Sequence, residues 1–261
     1  MAVEFNQQAF VWGRHAAVDI EKVKQLAQLP ASFTPLQNLE EIIDDRYQRL
    51  VKYQSPAYAE RYKKHLAQVT LLDKIDGQSG LSKSVAKNLY KLMAYKDEYE
   101  VARLFSDGQF KQQLQSQFSG QYQLAFHLAP PLLSPKDSDT GLPRKRRYGA
   151  WILPLYSILA RLKFLRGSKL DVFGYTKERK MERDLIDDYV SLLSEFETNL
   201  TANNYAQALA LSALPEKIRG FGHIKDAHID QHKVKQKRLL AEFRGEISQS
   251  VNFIDAAAQI K

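Results

Sequence analysis

The sequence predicts a mainly α-helical protein, a multi-helix domain with one small β element near residues 121–129. Three observations carry this. Apolar residues recur at spacings of three and four through most of the chain, the period of one helix face. Capping signatures stand where those stripes begin. Only "QYQLAFHLA", residues 121–129, alternates in part as a strand does.

The opening residues, "MAVEFNQQAFVWGRHAAVD", lack the basic start and apolar stretch of a signal peptide. They read as a helix with Val3, Ala9, Phe10, Val11, Ala16 and Ala17 as candidate buried positions. Asn38 with Glu41 makes a capping-box pair, and the helix it opens carries Leu39, Ile42, Ile43, Tyr47, Leu50 and Val51 on one face. Ser55-Pro56 starts the next helix, with proline at the first helical position where no N–H is missed. Its stripe is Tyr58, Tyr62, Leu66, Val69 and Leu72, and so short a join predicts an antiparallel pair.

"DGQSGLS" (76–82) is a break, after which Ser82 caps a helix with Val85, Leu89, Leu92 and Met93 inward, running to near Phe105. A short helix then holds Phe110, Leu114 and Phe118. "PPLLSPKDSDTGLP", residues 130–143, is irregular and reads as a loop or a linker separating two lobes. The most apolar run, "YGAWILPLYSILARLKFL" (148–165), follows "RKRR". Basic flank, Trp151 and Tyr156 have the look of a membrane-interface helix. Pro154, Arg161 and Lys163 interrupt the run, which is too short to span a bilayer. A buried core helix is the expectation, with a surface anchor as the alternative.

Thr176 caps a helix striped by Met181, Leu185, Tyr189, Leu192, Phe196 and Leu200. Lys180 with Asp184, and Arg183 with Asp187, stand at i,i+4 on its exposed side. Thr201 caps another helix to Leu214, and a basic helix runs from about residue 226 to 247 after "PEKIRGFGHIK".

The chain has no cysteine, which removes disulfides, thiolate zinc sites, cysteine nucleophiles and cysteine-held iron–sulfur clusters from it. A cytoplasmic setting agrees with that. Lys and Arg number 38 against 30 Asp and Glu, a net charge of +8 that admits an anionic partner without selecting one. His228 and His232 stand four apart on the last helix, but no HExxH and no third zinc ligand accompanies them, so exposed histidines on a polar helix are expected. Asp97, Glu98 and Glu100 are adjacent acids with Lys96 and Arg103 at hand, a charged helix surface and not an acid–base pair. "RKRR" and "KVKQKRLLAEFR" are the basic segments, but lysines 233, 235 and 237 spread around their helix instead of lining one face.

Several segments, in order, resemble a known family: "MAYKDEYEVARLF", "FHLAPPLL", "GLPRKRRYGAW", "LKFLRGSKLDVFGYTKERKMERDLIDDY" and "LPEKIRGFGHIK". Together they look like the C-terminal domain of the long, fused bacterial indolepyruvate ferredoxin oxidoreductases, in the 2-oxoacid:ferredoxin oxidoreductase superfamily. "VEFNQQAFVWGRHAA" resembles the end of the preceding gamma-type domain, which sets residues 1–20 apart from a helical accessory domain over 21–261, and makes Met1 a start in mid-protein. The resemblance implies a parent that oxidatively decarboxylates aryl-pyruvates with thiamine diphosphate, Mg²⁺, iron–sulfur clusters, coenzyme A and ferredoxin. Those cofactors are expected in other domains, none in this piece. It implies no catalytic residue here.

Three glycine-containing turns with cations beside them lie in those segments. Arg166, Tyr175, Arg219, His223 and Lys225 are therefore the expected site, docking the parent's catalytic domains or holding an anion such as a coenzyme A phosphate. The alternative is that these arginines cap helix ends inside the fold. No membrane partner is expected. The competing function is a free-standing basic helical protein that binds nucleic acid.

Overall fold

A computed structural model describes residues 2–26, 38–73, 80–118, 120, 122–128, 144–220 and 222–247. The chain divides into two compact units, Met1–Asn38 and Leu39–Lys261. The irregular stretch 130–143 lies outside the described residues.

The first unit holds α1 (Ala2–Val18) and α2 (Ile20–Leu26). Asp19 separates them and its carboxylate accepts from the Lys22 N–H at 2.9 Å, satisfying a donor at the start of α2. The expected burial of α1 does not occur. Val3, Phe10, Val11 and Trp12 are all exposed, because two short helices give each other too little surface to bury them.

The second unit runs α3 (Leu39–Tyr53), α4 (Pro56–Leu72), α5 (Leu81–Met93), α6 (Glu98–Ser106), α7 (Gln109–Gln117), β1 (Ala125–Leu128), β2 (Arg146–Gly149), α8 (Ile152–Arg161), α9 (Lys177–Asn199), α10 (Tyr205–Ala213) and α11 (His223–Phe243). Short 3₁₀ turns cover Leu162–Leu165, Ala202–Asn204 and Leu214–Lys217. The protein is mainly α, with a two-stranded antiparallel sheet as its β content among the described residues.

The main core gathers the apolar stripes of α3, α4, α5, α9 and α10, with Leu50, Tyr62, Leu89, Phe196 and Leu211 almost fully buried. Ser55 caps α4 as its sequence predicts, accepting from the Tyr58 N–H at 3.2 Å. Four tyrosines cross this core and donate to backbone carbonyls at their far ends. Tyr53 reaches Tyr95, Tyr58 reaches Met93, Tyr62 reaches Ala86 and Tyr189 reaches Ser212. Burial pushes the Tyr53 and Tyr189 phenols up from their ordinary value.

A smaller cluster forms beside it from Ala102, Phe126, Ile152 and Tyr156, with Phe105 stacked on Tyr156 at 5.7 Å between ring centroids. Residues on both sides of the 130–143 stretch meet in this cluster, since Phe126 pairs with Tyr148 across the sheet. The strand at 125–128 falls inside the predicted segment. Its partner β2, cut from "RKRRYG", is not visible as a strand in the sequence.

Three helix boundaries differ from expectation. Ser82 is not a cap: it lies inside α5, whose N-cap is Gly80 at φ 126°. The first N–H groups of α5 are satisfied by Asp73, at the end of α4, which accepts from Gly80, Leu81 and Ser82. The single helix expected from Ser82 to Phe105 breaks at 94–97, because Asp97 accepts from the Glu100 N–H at 2.8 Å and starts a new helix there. The last helix begins at His223, earlier than residue 226. Helix α8 fulfils the expected core role on one side only. Ile152 and Tyr156 are buried, while Trp151, Leu155 and Ile158 are exposed.

Candidate functional site

The polar corner of the second unit is built around Arg166. Leu162–Leu165 turns once, and Arg166 follows it into the protein, where its side chain is 3% exposed. Its guanidinium donates to both carboxylate oxygens of Asp97, one at 2.8 Å, and to the Tyr53 carbonyl at 2.7 Å. That carbonyl belongs to the last residue of α3, and Asp97 caps α6, so one side chain ties two helix ends together. The guanidinium also lies 3.7 Å from the Tyr53 ring centroid. Burial by itself lowers the Arg166 pKa, but the hydrogen bond and charge of Asp97 outweigh it and raise the value above its ordinary one.

The loop after Arg166 folds on a second buried acid. Asp171, 3% exposed, accepts from the N–H groups of Gly167 and Gly174 at 2.8 and 3.0 Å and from the Tyr99 hydroxyl at 3.1 Å. Gly167 sits at φ 76°, in the left-handed region. Gly174 is required for a different reason: a Cβ there would stand 2.5 Å from an Asp171 oxygen. Arg183 closes the loop, donating to the Gly174 carbonyl at 2.7 Å, and so does not form the predicted surface pair with Asp187.

From α6 the ion pairs continue. Glu98 pairs with Arg179 on α9 at 3.3 Å, Arg179 lies 3.8 Å from Glu182, and Glu182 pairs with Lys225 on α11. These groups are largely buried, between 10% and 21% exposed by side chain. The start of α9 is thus partly enclosed, where a solvated helix face was expected. Lys177, Glu178 and Lys180 keep the exposed character.

The five predicted site residues do not share one surface. Arg166 is interior, a correction to its expected docking role, because Asp97 and the Tyr53 carbonyl need its donors. Lys225 is engaged by Glu182. Tyr175 is exposed and donates to the Lys169 carbonyl at 2.8 Å, while exposed Arg219 donates to the Glu216 carbonyl at 3.1 Å. His223 opens α11, and its side chain lies outside the described residues. The capping alternative therefore describes Arg166 and Arg219. Sequence reading missed Asp171, and it saw Asp97 only as surface charge. A buried acid's partners, here 69 positions away for Asp97, leave no local mark.

Neither histidine of the last helix is free to ligate as an exposed pair. His228 Nδ1 is 2.8 Å from the Arg219 carbonyl, and burial lowers the His232 pKa. Among the described residues no group of three or more His, Asp or Glu is placed to hold a metal ion. An open cleft of about 640 Å³ lies beside the Arg166 corner, lined by Tyr90, Arg49, Arg103, Asp107 and Lys163 among others. Three of its cations have acceptors: Arg49 with Asp45, Arg103 with Glu100 and Asp107, Lys163 with the Lys52 carbonyl.

The fold and this corner define a helical domain whose buried charges hold helix ends to one another. The chain belongs to a family of unknown function (DUF6537), whose match covers residues 39–238, nearly the whole of the second unit. No curated protein and no solved structure matches it. Among the described residues no helix is long and apolar enough to cross a membrane.

Proposed function

We propose that this chain is the C-terminal accessory domain of a fused indolepyruvate-type 2-oxoacid:ferredoxin oxidoreductase, and that by itself it turns nothing over. In this proposal it supports assembly of the parent's catalytic domains in the cytoplasm. Thiamine diphosphate, Mg²⁺, the iron–sulfur clusters, coenzyme A and the ferredoxin contact belong to those other domains.

One observation carries the reading. The segments whose spelling resembles that family are the segments joined by the buried ion pairs. Asp97 and Glu98 lie in "MAYKDEYEVARLF", Arg166, Arg179 and Glu182 in the long middle segment, and Lys225 in "LPEKIRGFGHIK". Their distinctive charges engage one another inside the fold, which favours a structural role over a chemical one for these segments. Side chains committed to such pairs are poor acids, bases or nucleophiles, since each would leave its partner buried and unpaired.

The test is to read the native frame upstream of Val3 and assay its product. An open frame through thiamine diphosphate and cysteine-rich cluster segments, with aryl-pyruvate-dependent ferredoxin reduction, supports the proposal. Removal of residues 39–247 should then impair assembly of that product. A stop codon just upstream, with no separate catalytic partner, would sink it.

A further inference from the structure

Two cations meet at the end of the α10 run, where Leu214–Lys217 leads the chain toward α11. Lys91 of α5 donates through Nζ to the Pro215 carbonyl at 2.7 Å and to the Glu216 carbonyl at 3.0 Å. Arg219 donates through Nε to that same Glu216 oxygen at 3.1 Å. Two donors on one oxygen stand at most about 6 Å apart, twice a hydrogen-bond length. Among the described residues no carboxylate hydrogen-bonds to either of them. Capping explains one of these cations and not both, since a helix end carries only about half a negative charge. The Glu216 carboxylate is exposed, and Lys225 nearby is answered by Glu182. The charges felt at Lys91 register the imbalance. Burial, and after it the Arg219 charge, push its pKa below the ordinary value; Glu216 opposes less strongly than Arg219 acts, and Lys225 adds to the depression. The same turn repeats the pattern, because the Lys217 charge is the main influence lowering the Lys235 pKa.

We infer that Lys91 and Arg219 bind a phosphate group, free or borne by a small molecule, between them. Three features select such an oxyanion. Capping occupies only Nε of Arg219, which leaves both terminal nitrogens of an exposed guanidinium, the donors that grip phosphate oxygens side by side. Half-buried Lys91 has one N–H beyond the two it places on carbonyls. A tetrahedral group accepting bonds of about 2.8 Å from each can bridge cations at this separation, whereas the two oxygens of a carboxylate are used up by the arginine fork alone. The arginine is also held in place beforehand. Gly220 beside it has φ 90°, and a Cβ there would stand 2.8 Å from Ile224 Cγ2. His228 Nδ1 lies 2.8 Å from the Arg219 carbonyl. Backbone and Nε are therefore fixed before a ligand arrives, and binding orders little. Sequence reading gave Arg219 other partners, and the fold supplies Lys91 instead. The site does not rest on the accessory-domain reading.

The experiment titrates inorganic phosphate into the 261-residue chain at fixed ionic strength and follows the Arg219 Nε–H resonance by NMR, identified by its loss in R219K. A shift that saturates, and that chloride does not reproduce, is expected. Half-saturation should need at least about tenfold more phosphate in K91M, the loss of one hydrogen bond between charged groups. Should K91M lose its fold, R219Q at an exposed position tests the same site: phosphate should raise the melting temperature of wild type and no longer that of the variant. Glycerol 3-phosphate in a parallel titration separates the two sources. Tighter binding than inorganic phosphate supports a borne group, and weaker binding supports the free ion. A shift that never saturates, an equal response to chloride, or a change under about twofold in folded K91M overturns the site. An equal rise in melting temperature for R219Q and wild type overturns it as well.

Discussion

Replacing Arg166 by methionine tests the corner most directly. The substitution keeps the length of the side chain but leaves Asp97 buried at 3% exposure without its counter-charge, and the Tyr53 carbonyl without a donor. Breaking a buried pair from one side costs about 3–5 kcal/mol, and the lost stacking on Tyr53 falls within that figure. Asp97→Asn is the reciprocal change. Asparagine still caps α6, so its cost reports the lost charge and not the lost cap. With both substitutions no charge is buried, and the double variant should stand within about 2 kcal/mol of wild type. Urea unfolding followed by far-UV circular dichroism gives all four values, provided the slopes agree. If Arg166→Met costs under about 1 kcal/mol, or if the double variant costs the sum of the singles, then the pair is not buried as described.

Three more outcomes follow from other contacts. Tyr205→Phe removes the hydroxyl that donates to Asp73 and accepts from the Leu81 N–H, and should cost about 1–2 kcal/mol in urea. Burial pushes the Asp73 carboxyl up, but the bonds from Tyr205, Ser82 and Gly80 outweigh it and hold the pKa below its ordinary value. Its stabilising contribution is complete above the unfolded carboxylate pKa and lost as pH falls through the folded one, so acid unfolding of Tyr205→Phe should begin at higher pH. Gly174→Ala should cost about 1–3 kcal/mol, because the new methyl meets Asp171, and the loss should exceed the roughly 1 kcal/mol of Gly167→Ala, where space is open but φ is positive. Burial depresses the His232 pKa, so its contribution is full above the ordinary histidine value and is lost as pH falls below it. His232→Gln should flatten the fall in melting temperature between about pH 7 and 5. An unchanged slope would count against its burial.

The helical stripes were legible because burial on one face imposes its period on the sequence itself. Ile42, Leu50, Leu66, Leu185 and Phe196 all lie where the spacing put them. Caps that use their own helix's residues, Ser55 and Thr176, were legible too. What escaped depends on groups distant in sequence. Asp73 caps α5 from another helix, Asp97 breaks a helix with an arginine beyond the sheet to balance it, and β2 exists because β1 pairs with it. Of the corner's residues, Arg166 and Lys225 were singled out, Asp97 was read as surface charge and Asp171 was not noticed. The direction of the two cations was not readable, since a cation beside a glycine turn looks the same whether it faces solvent or a buried acid. The outward side of α8 went unseen for a related reason: an apolar run says that burial is wanted, not by which surface.

The bond between Asp97 and Arg166 has a consequence for the order in which the chain matures. The two are 69 residues apart, and a ribosome adding roughly 5–20 residues per second takes about 3–14 s to cover that interval. Until then α3, α4 and α5 have been made, but Asp97 has no Arg166 to pair with. The guanidinium arrives after the pieces it joins, as a late latch on α3 and α6. Arg179, Glu182 and lastly Lys225 follow, so the corner's partners become available in the order of translation.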